Sequence, residues 1–183
     1  SELSVKSISN AMTADGFKAS PPTVEAYLQA FRDCYLFYKA DRYDVKGKRM
    51  LKTQNKYYIV DPGLRQLLAG KAARDSGHLL ENTVYLELVR RGYRVSIGRM
   101  DLWDRAEATR RSVAVDFVAQ RGGETLYFQV SESILDPVTR ERELRPLLAI
   151  RDSNPKFLLT RDYGDELFDG VRYVNVLKWL LGE

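Results

Sequence analysis

The chain has 183 residues, 44% hydrophobic and 30% charged, with 11 Tyr, 7 Phe and 2 Trp, which excludes an intrinsically disordered polymer and is enough to bury a core in one large or two small domains. Its formal charge of +4 is local: residues 1–70 hold 11 of the 29 Lys and Arg but only 7 of the 25 Asp and Glu, and the remainder is balanced, a hint of nucleic-acid contact in the first third. No apolar run suits a membrane span or leader, the single Cys34 and single His78 exclude an internal disulfide and a Cys/His zinc centre, and no GxxxxGK[ST] phosphate loop occurs.

From the N-terminus, Ser4 or Ser7 can cap a helix carrying Val5, Ile8 and Met12, which stops at Asp15-Gly16. Ser20-Pro21-Pro22-Thr23 opens a second helix with Val24, Tyr27, Leu28 and Phe31 as its apolar stripe. Cys34, among aromatics, is expected in the core or at its boundary. Two extended runs, Tyr35 to Tyr43 and Met50 to Val60, flank Asp44-Val45-Lys46-Gly47-Lys48-Arg49 as a hairpin, and Leu64, Leu67 and Leu68 begin a short helix after Asp61-Pro62-Gly63. This order predicts a winged helix-turn-helix over residues 1–72. In such a domain a helix reads the major groove while a basic wing grips phosphates, so Lys46, Lys48 and Arg49, with Lys18 and Lys52, are the candidate nucleic-acid contacts. A charged hairpin tip can equally be solvated. The second helix also offers Glu25, Gln29, Arg32 and Asp33 rather than a row of arginines.

A polar stretch near residues 70–78 separates this from residues 73–183, read as an αβββαβ mixed-sheet domain of the α/β (α+β) class. Its elements are a helix from Leu79 to Arg91, a strand from Tyr93 to Ile97, and a charged loop from Gly98 to Arg111 that holds Trp103. A hairpin follows, Val113 to Ala119 and Thr125 to Ser131, then a helix capped by Asp136 and kinked or split at Pro146. Lys156 to Thr160, a loop, Val171 to Val174 and a last helix complete the chain. His78, at a helix start, reads as a capping or surface residue.

Three polar residues interrupt apolar patterns. Glu81 shares a helical face with Val84, Tyr85 and Leu88; Asp116 sits within Val113–Ala119; and Gln129-x-Ser131 follows thirteen residues later. A carboxylate on an apolar strand costs several kcal/mol unless paired. A helical Glu, a strand Asp and a polar-x-polar pair make up the skeleton of the PD-(D/E)XK nuclease site, where acidic oxygens hold a divalent ion and a lysine assists. In that pattern Glu81 and Asp116 are the metal ligands, Gln129 takes the Glu/Gln position and Ser131 falls where the lysine belongs. The site is therefore expected to be degraded, with Lys156 or Arg140 as the candidate replacement cations. The alternative is that Glu81, Asp116 and Gln129 form a hydrogen-bonded cluster between helix and sheet.

The runs Tyr43–Arg49, Lys56–Arg65, Gly77–Tyr85, Val115–Val118, Tyr127–Ser131 and Thr139–Glu143 together resemble the C-terminal region of bacterial and archaeal AAA-type P-loop ATPases. There a winged helix and a restriction-endonuclease-like domain of unknown function follow the nucleotide-binding core. The chain has Ala114 where those proteins carry a further acid. The resemblance implies an accessory or regulatory module that binds nucleic acid or a partner, the upstream ATPase domain and DNA being the expected partners. The alternative is a magnesium-dependent DNA or RNA nuclease with an altered site. ATP would belong to the P-loop half alone, magnesium only to the nuclease reading, and the expected location is cytoplasmic, away from membranes.

Overall fold

The computed structural model of the chain describes residues 4–69, 76–104 and 109–182. Ser4 and Ser7 form a reciprocal capping box, each side-chain oxygen 3.0 Å from the other's backbone N–H, and open α1 (Val5–Ala14). Ser20 caps α2 (Pro21–Asp33). Of the stripe expected on α2, Val24 is buried, but Tyr27 and Phe31 are 52% and 42% exposed, because this short helix packs chiefly against α1. Cys34 is exposed rather than buried: it is the C-cap, where α2 ends and the chain reverses through Tyr35 at φ +57°.

The remaining elements are β1 (Phe37–Asp44), β2 (Arg49–Ile59), α3 (Pro62–Ala69), α4 (Ser76–Arg90), β3 (Arg94–Asp104), β4 (Thr109–Arg121), β5 (Glu124–Val130), α5 (Pro137–Leu148), β6 (Lys156–Thr160), β7 (Asp165–Phe168), β8 (Val171–Asn175) and α6 (Val176–Leu181). All eight strands form one mixed sheet in the order β2-β1-β3-β4-β5-β6-β8-β7. The pairs β1–β3, β5–β6 and β6–β8 are parallel and the rest antiparallel. Two apolar clusters lie on opposite faces, as adjacent residues show. Phe117 and Phe128 pack with Val84, Tyr85 and Leu88 of α4. Val118 and Tyr127 pack with Leu144 and Leu147 of α5.

The structure departs from the sequence reading beyond the first two helices as well. The segment Gly98–Arg111, expected as a loop, is mostly strand, paired from Met100↔Val113 out to Asp104↔Thr109; Met100 is buried and Leu102 packs beside it, a period-two signal hidden among charges. The connection after Thr160 contains the edge strand β7. Helix α5 is not split at Pro146 but continues through it to Leu148, the proline lying in the last turn. The β1–β2 hairpin does not stand out as a free wing. Its first strand runs beside β3 through Arg42↔Ile97 to Asp44↔Arg99, and Val45 in its turn donates to the Arg99 carbonyl at 2.9 Å and is buried on the α5 side. Gly98 permits this approach, for a Cβ there would sit 2.9 Å from Val115 and 3.2 Å from Val45. The expected boundary between residues 72 and 73 lies outside the described residues. Among those described, no helix is long and apolar enough to cross a membrane.

Candidate functional site

A β-bulge aims Asp116. The β3–β4 register passes from Ser96↔Val118 to Gly98↔Val115, so Asp116 and Phe117 together oppose Ile97. Strict alternation would send Asp116 with Val118 toward α5. The bulge instead sets it beside Phe117, on the α4 side, where it shares a cleft with Glu81.

The β4–β5 ladder ends at Phe117↔Phe128, and side chains continue it. The Asp116 N–H donates to Gln129 Oε1 at 3.3 Å, and the Val130 N–H donates to Asp116 Oδ2 at 2.9 Å. Gln129 Nε2 donates to Glu143 Oε2 of α5 at 2.8 Å. The other oxygen of Glu143 accepts from Arg142 Nε and Nη2 at 3.0 and 2.8 Å.

On the opposite wall, α4 is clamped to β2. The Ile59 N–H donates to Asn82 Oδ1 at 3.0 Å, and Asn82 Nδ2 donates to the Ile59 carbonyl at 2.9 Å, so a side-chain amide takes the place of a further strand at the sheet edge. One residue from this clamp, Glu81 Oε1 accepts from Lys56 Nζ at 2.5 Å and from the Tyr58 hydroxyl at 2.6 Å. The Tyr58 ring stacks on Tyr85 with centroids 4.0 Å apart. Replacing Asn82 with leucine strands two buried backbone groups and is expected to cost about 2–4 kcal/mol, measurable by urea unfolding; a change under about 0.5 kcal/mol would show that the clamp is dispensable.

The electrostatics follow from this packing. Burial, then the neighbouring Glu81 charge, pushes the Asp116 carboxyl up to about 7, opposed by the Val130 N–H and by Lys56. Burial and Glu81 likewise hold the Tyr58 phenol well above its ordinary 10.0.

Glu81, Asp116, Gln129 and Ser131 thus line one cleft of about 620 Å³. The Ser131 hydroxyl donates to the Ser133 carbonyl at 3.0 Å. His78 lies exposed in the first turn of α4, at the same cleft. The cations proposed to replace the missing lysine lie elsewhere: Lys156 donates to the Asp152 carbonyl at 2.9 Å, and Arg140 lies over the rings of Phe168 and Tyr173. The cation that bonds Glu81 is Lys56 of β2. Sequence reasoning missed Lys56, Tyr58, Asn82 and Glu143. The only signal was the i, i+2 spacing of Lys56 and Tyr58, which puts both on one face of β2.

Three of the expected nucleic-acid contacts, Lys46, Lys48 and Arg49, lie in or beside the β1–β2 turn. Lys46 and Lys48 line a groove beside α5, while Arg49 Nε lies 3.7 Å from Asp44. Lys18 is exposed in the α1–α2 connection, and the side chain of Lys52 lies outside the described residues.

Glu81 Oε1 is held by Lys56 and Tyr58, Asp116 Oδ2 by Val130, and both ends of the Gln129 amide are bonded. Among the described residues, no three His, Cys, Asp or Glu side chains are grouped to hold a metal ion.

Residues 1–75 match a family model described as a domain of unknown function (DUF8612), a span that includes Lys56 and Tyr58 and stops short of Glu81. Over 175 residues the chain is 39% identical to an uncharacterized protein of Haemophilus influenzae, covering 95% of this chain and 40% of that protein. Over 171 residues it is 28% identical to the uncharacterized protein MJ1544 of Methanocaldococcus jannaschii, covering 90% and 36%. The chain therefore spans well under half the length of these curated relatives. No solved structure matches it.

Proposed function

We propose that the chain is an accessory module of an AAA-type ATPase, a winged-helix-like segment joined to a nuclease-like sheet whose cleft binds rather than cuts. The observation that carries this reading is a hydrogen-bonded network at the cleft: Glu81 Oε1 accepts from Lys56 and Tyr58, Asp116 and Gln129 bond across two strands, and Glu143 accepts from Gln129 and Arg142. The order α4-β3-β4-β5-α5-β6 supports the nuclease-like ancestry, since it sets the helical acid, the strand acid and the amide on one cleft. The relatives' greater length, of which the chain covers 40% and 36%, leaves space in them for a nucleotide-binding half. ATP would be held there, in the cytoplasm, with this module reporting on nucleic acid or on a partner.

A second reading, a magnesium-dependent nuclease, draws on one observation: Lys56 brings an ammonium to Glu81 although Ser131 replaces the motif lysine. Supercoiled, single-stranded and branched DNA incubated with the chain in Mg²⁺ or Mn²⁺ separates the two. Intact substrates are expected. Cleavage that disappears in both Asp116→Ala and Lys56→Ala would establish the second reading and overturn the first.

A further inference from the structure

Along the α5 side of the sheet runs a second groove, of about 870 Å³, between the β1–β2 turn, β3 and the C-terminal end of α5. Its charged lining is lopsided: Lys46 and Lys48 from the turn and Arg145 and Arg151 from α5 and beyond, against Asp152 alone. Asp152 is already engaged, accepting from the Tyr127 hydroxyl at 2.7 Å and from the Asn154 N–H at 3.0 Å. The end of α5 adds partial negative charge, on the order of half an elementary charge, which Lys46, Lys48 and Arg151 outweigh. The groove also holds Trp103, whose indole is 61% exposed.

The lysines are placed by the fold. Val45 is buried between them and the core, Asp44 accepts the Gly47 N–H at 2.9 Å to close the turn, and Lys46 donates one of its protons to the Asp101 carbonyl. The turn is thereby pinned to β3, the strand that carries Trp103, so cations and indole share one rigid frame.

We propose that this groove binds single-stranded nucleic acid, its backbone phosphates along Lys46, Lys48, Arg145 and Arg151 and a base stacked on Trp103. A cationic track beside an exposed aromatic face is the arrangement that holds single strands without reading sequence. A duplex, with its bases already stacked, offers the indole nothing to stack on. The inference rests on the nucleic-acid-binding part of the reading above but concerns a different surface from the acidic cleft.

The test uses the intact chain with fluorescein-labelled oligo(dT), oligo(rU) and a duplex of equal length, read by anisotropy and by tryptophan emission. Oligo(dT) or oligo(rU) is expected to bind more tightly than duplex and to quench emission, the stronger of the two identifying DNA or RNA as the preferred source. Trp103→Ala should weaken binding about tenfold, and Trp103→Phe should retain most of the affinity while abolishing the quench. Lys48→Glu and Arg151→Glu should each weaken binding about tenfold and reduce the salt slope by about one, whereas Lys178→Glu, at an exposed position of α6, should leave it unchanged. Circular dichroism and melting confirm that each variant is folded. Single-strand binding unaffected by the groove variants would overturn this assignment while sparing the broader reading. No binding to any nucleic acid would overturn both. Displacement by polyglutamate as effective as by oligo(dT), without a quench, would identify an acidic protein as the ligand and also overturn it.

Discussion

Replacing Lys56 with methionine is expected to destabilise the protein by about 3 kcal/mol, near the low end of the cost of breaking a buried ion pair by removing one partner. The Glu81 side chain is only 11% exposed and that of Lys56 22%, so the orphaned carboxylate stays in a largely dry setting beside a second acid, Asp116. The loss arises from the uncompensated charge and not from the contact itself. The double variant Lys56→Met with Glu81→Gln should therefore recover most of the stability, since the amide oxygen still accepts from Tyr58 while no charge remains. Urea unfolding of the two single variants and the double completes the cycle. A Lys56→Met variant within about 0.5 kcal/mol of the parent would mean that the lysine is an incidental surface contact, and the self-neutralised description of the cleft would fail with it.

The second large effect is on pH dependence. Asp116 has its carboxyl raised from an ordinary 3.8 to about 7 by burial and by Glu81. Between those two values the native state holds a proton that the unfolded chain has released, so stability falls as pH rises from about 4 to about 7, by an amount on the order of a few kcal/mol, and is flat above. Asp116→Asn removes the titration: the variant should match the parent near pH 4 and exceed it at pH 8, its amide oxygen still accepting from the Val130 N–H. Lys56→Met should extend the parent's decline to higher pH, because Lys56 favours the ionised form of Asp116. Glu87 acts at the other end of the scale. Arg90 and Arg91 hold it down to about 2, so its contribution is lost only as pH falls through the acid range and does not confuse the window. Equal pH profiles for the parent and Asp116→Asn would show that Asp116 is ionised and solvated, and the crowding of two acids in this cleft would be refuted.

Both predictions turn on the same arrangement, in which a hairpin from the basic first third supplies the cation and phenol that quiet an acid of the second half. The clamp made by Asn82 and Ile59 holds β2 against α4, one residue from Glu81.

Local patterns carried a good deal. The caps at Ser4 or Ser7, at Ser20 or Thr23 and at Asp136, the apolar face of α4, the β4–β5 hairpin and the alternation of helices and strands that makes a mixed α/β sheet were all legible in the amino-acid order, because capping and periodicity are properties of residues a few positions apart. So was the oddity of Glu81, Asp116 and Gln129, since a polar group on an apolar stripe is visible without coordinates. Other features depended on which distant segments meet. Val45 and Gly98 dock the first hairpin onto β3, which brings Lys56 and Tyr58 to Glu81 and sets Lys48 in one groove with Trp103. The bulge opposite Ile97 turns Asp116 from one face of the sheet to the other. A register shift of one residue and a contact spanning twenty-five positions leave no trace in local spacing, because both arise from the packing of whole elements, and it is these that determine which charges neutralise one another and which remain open to a ligand.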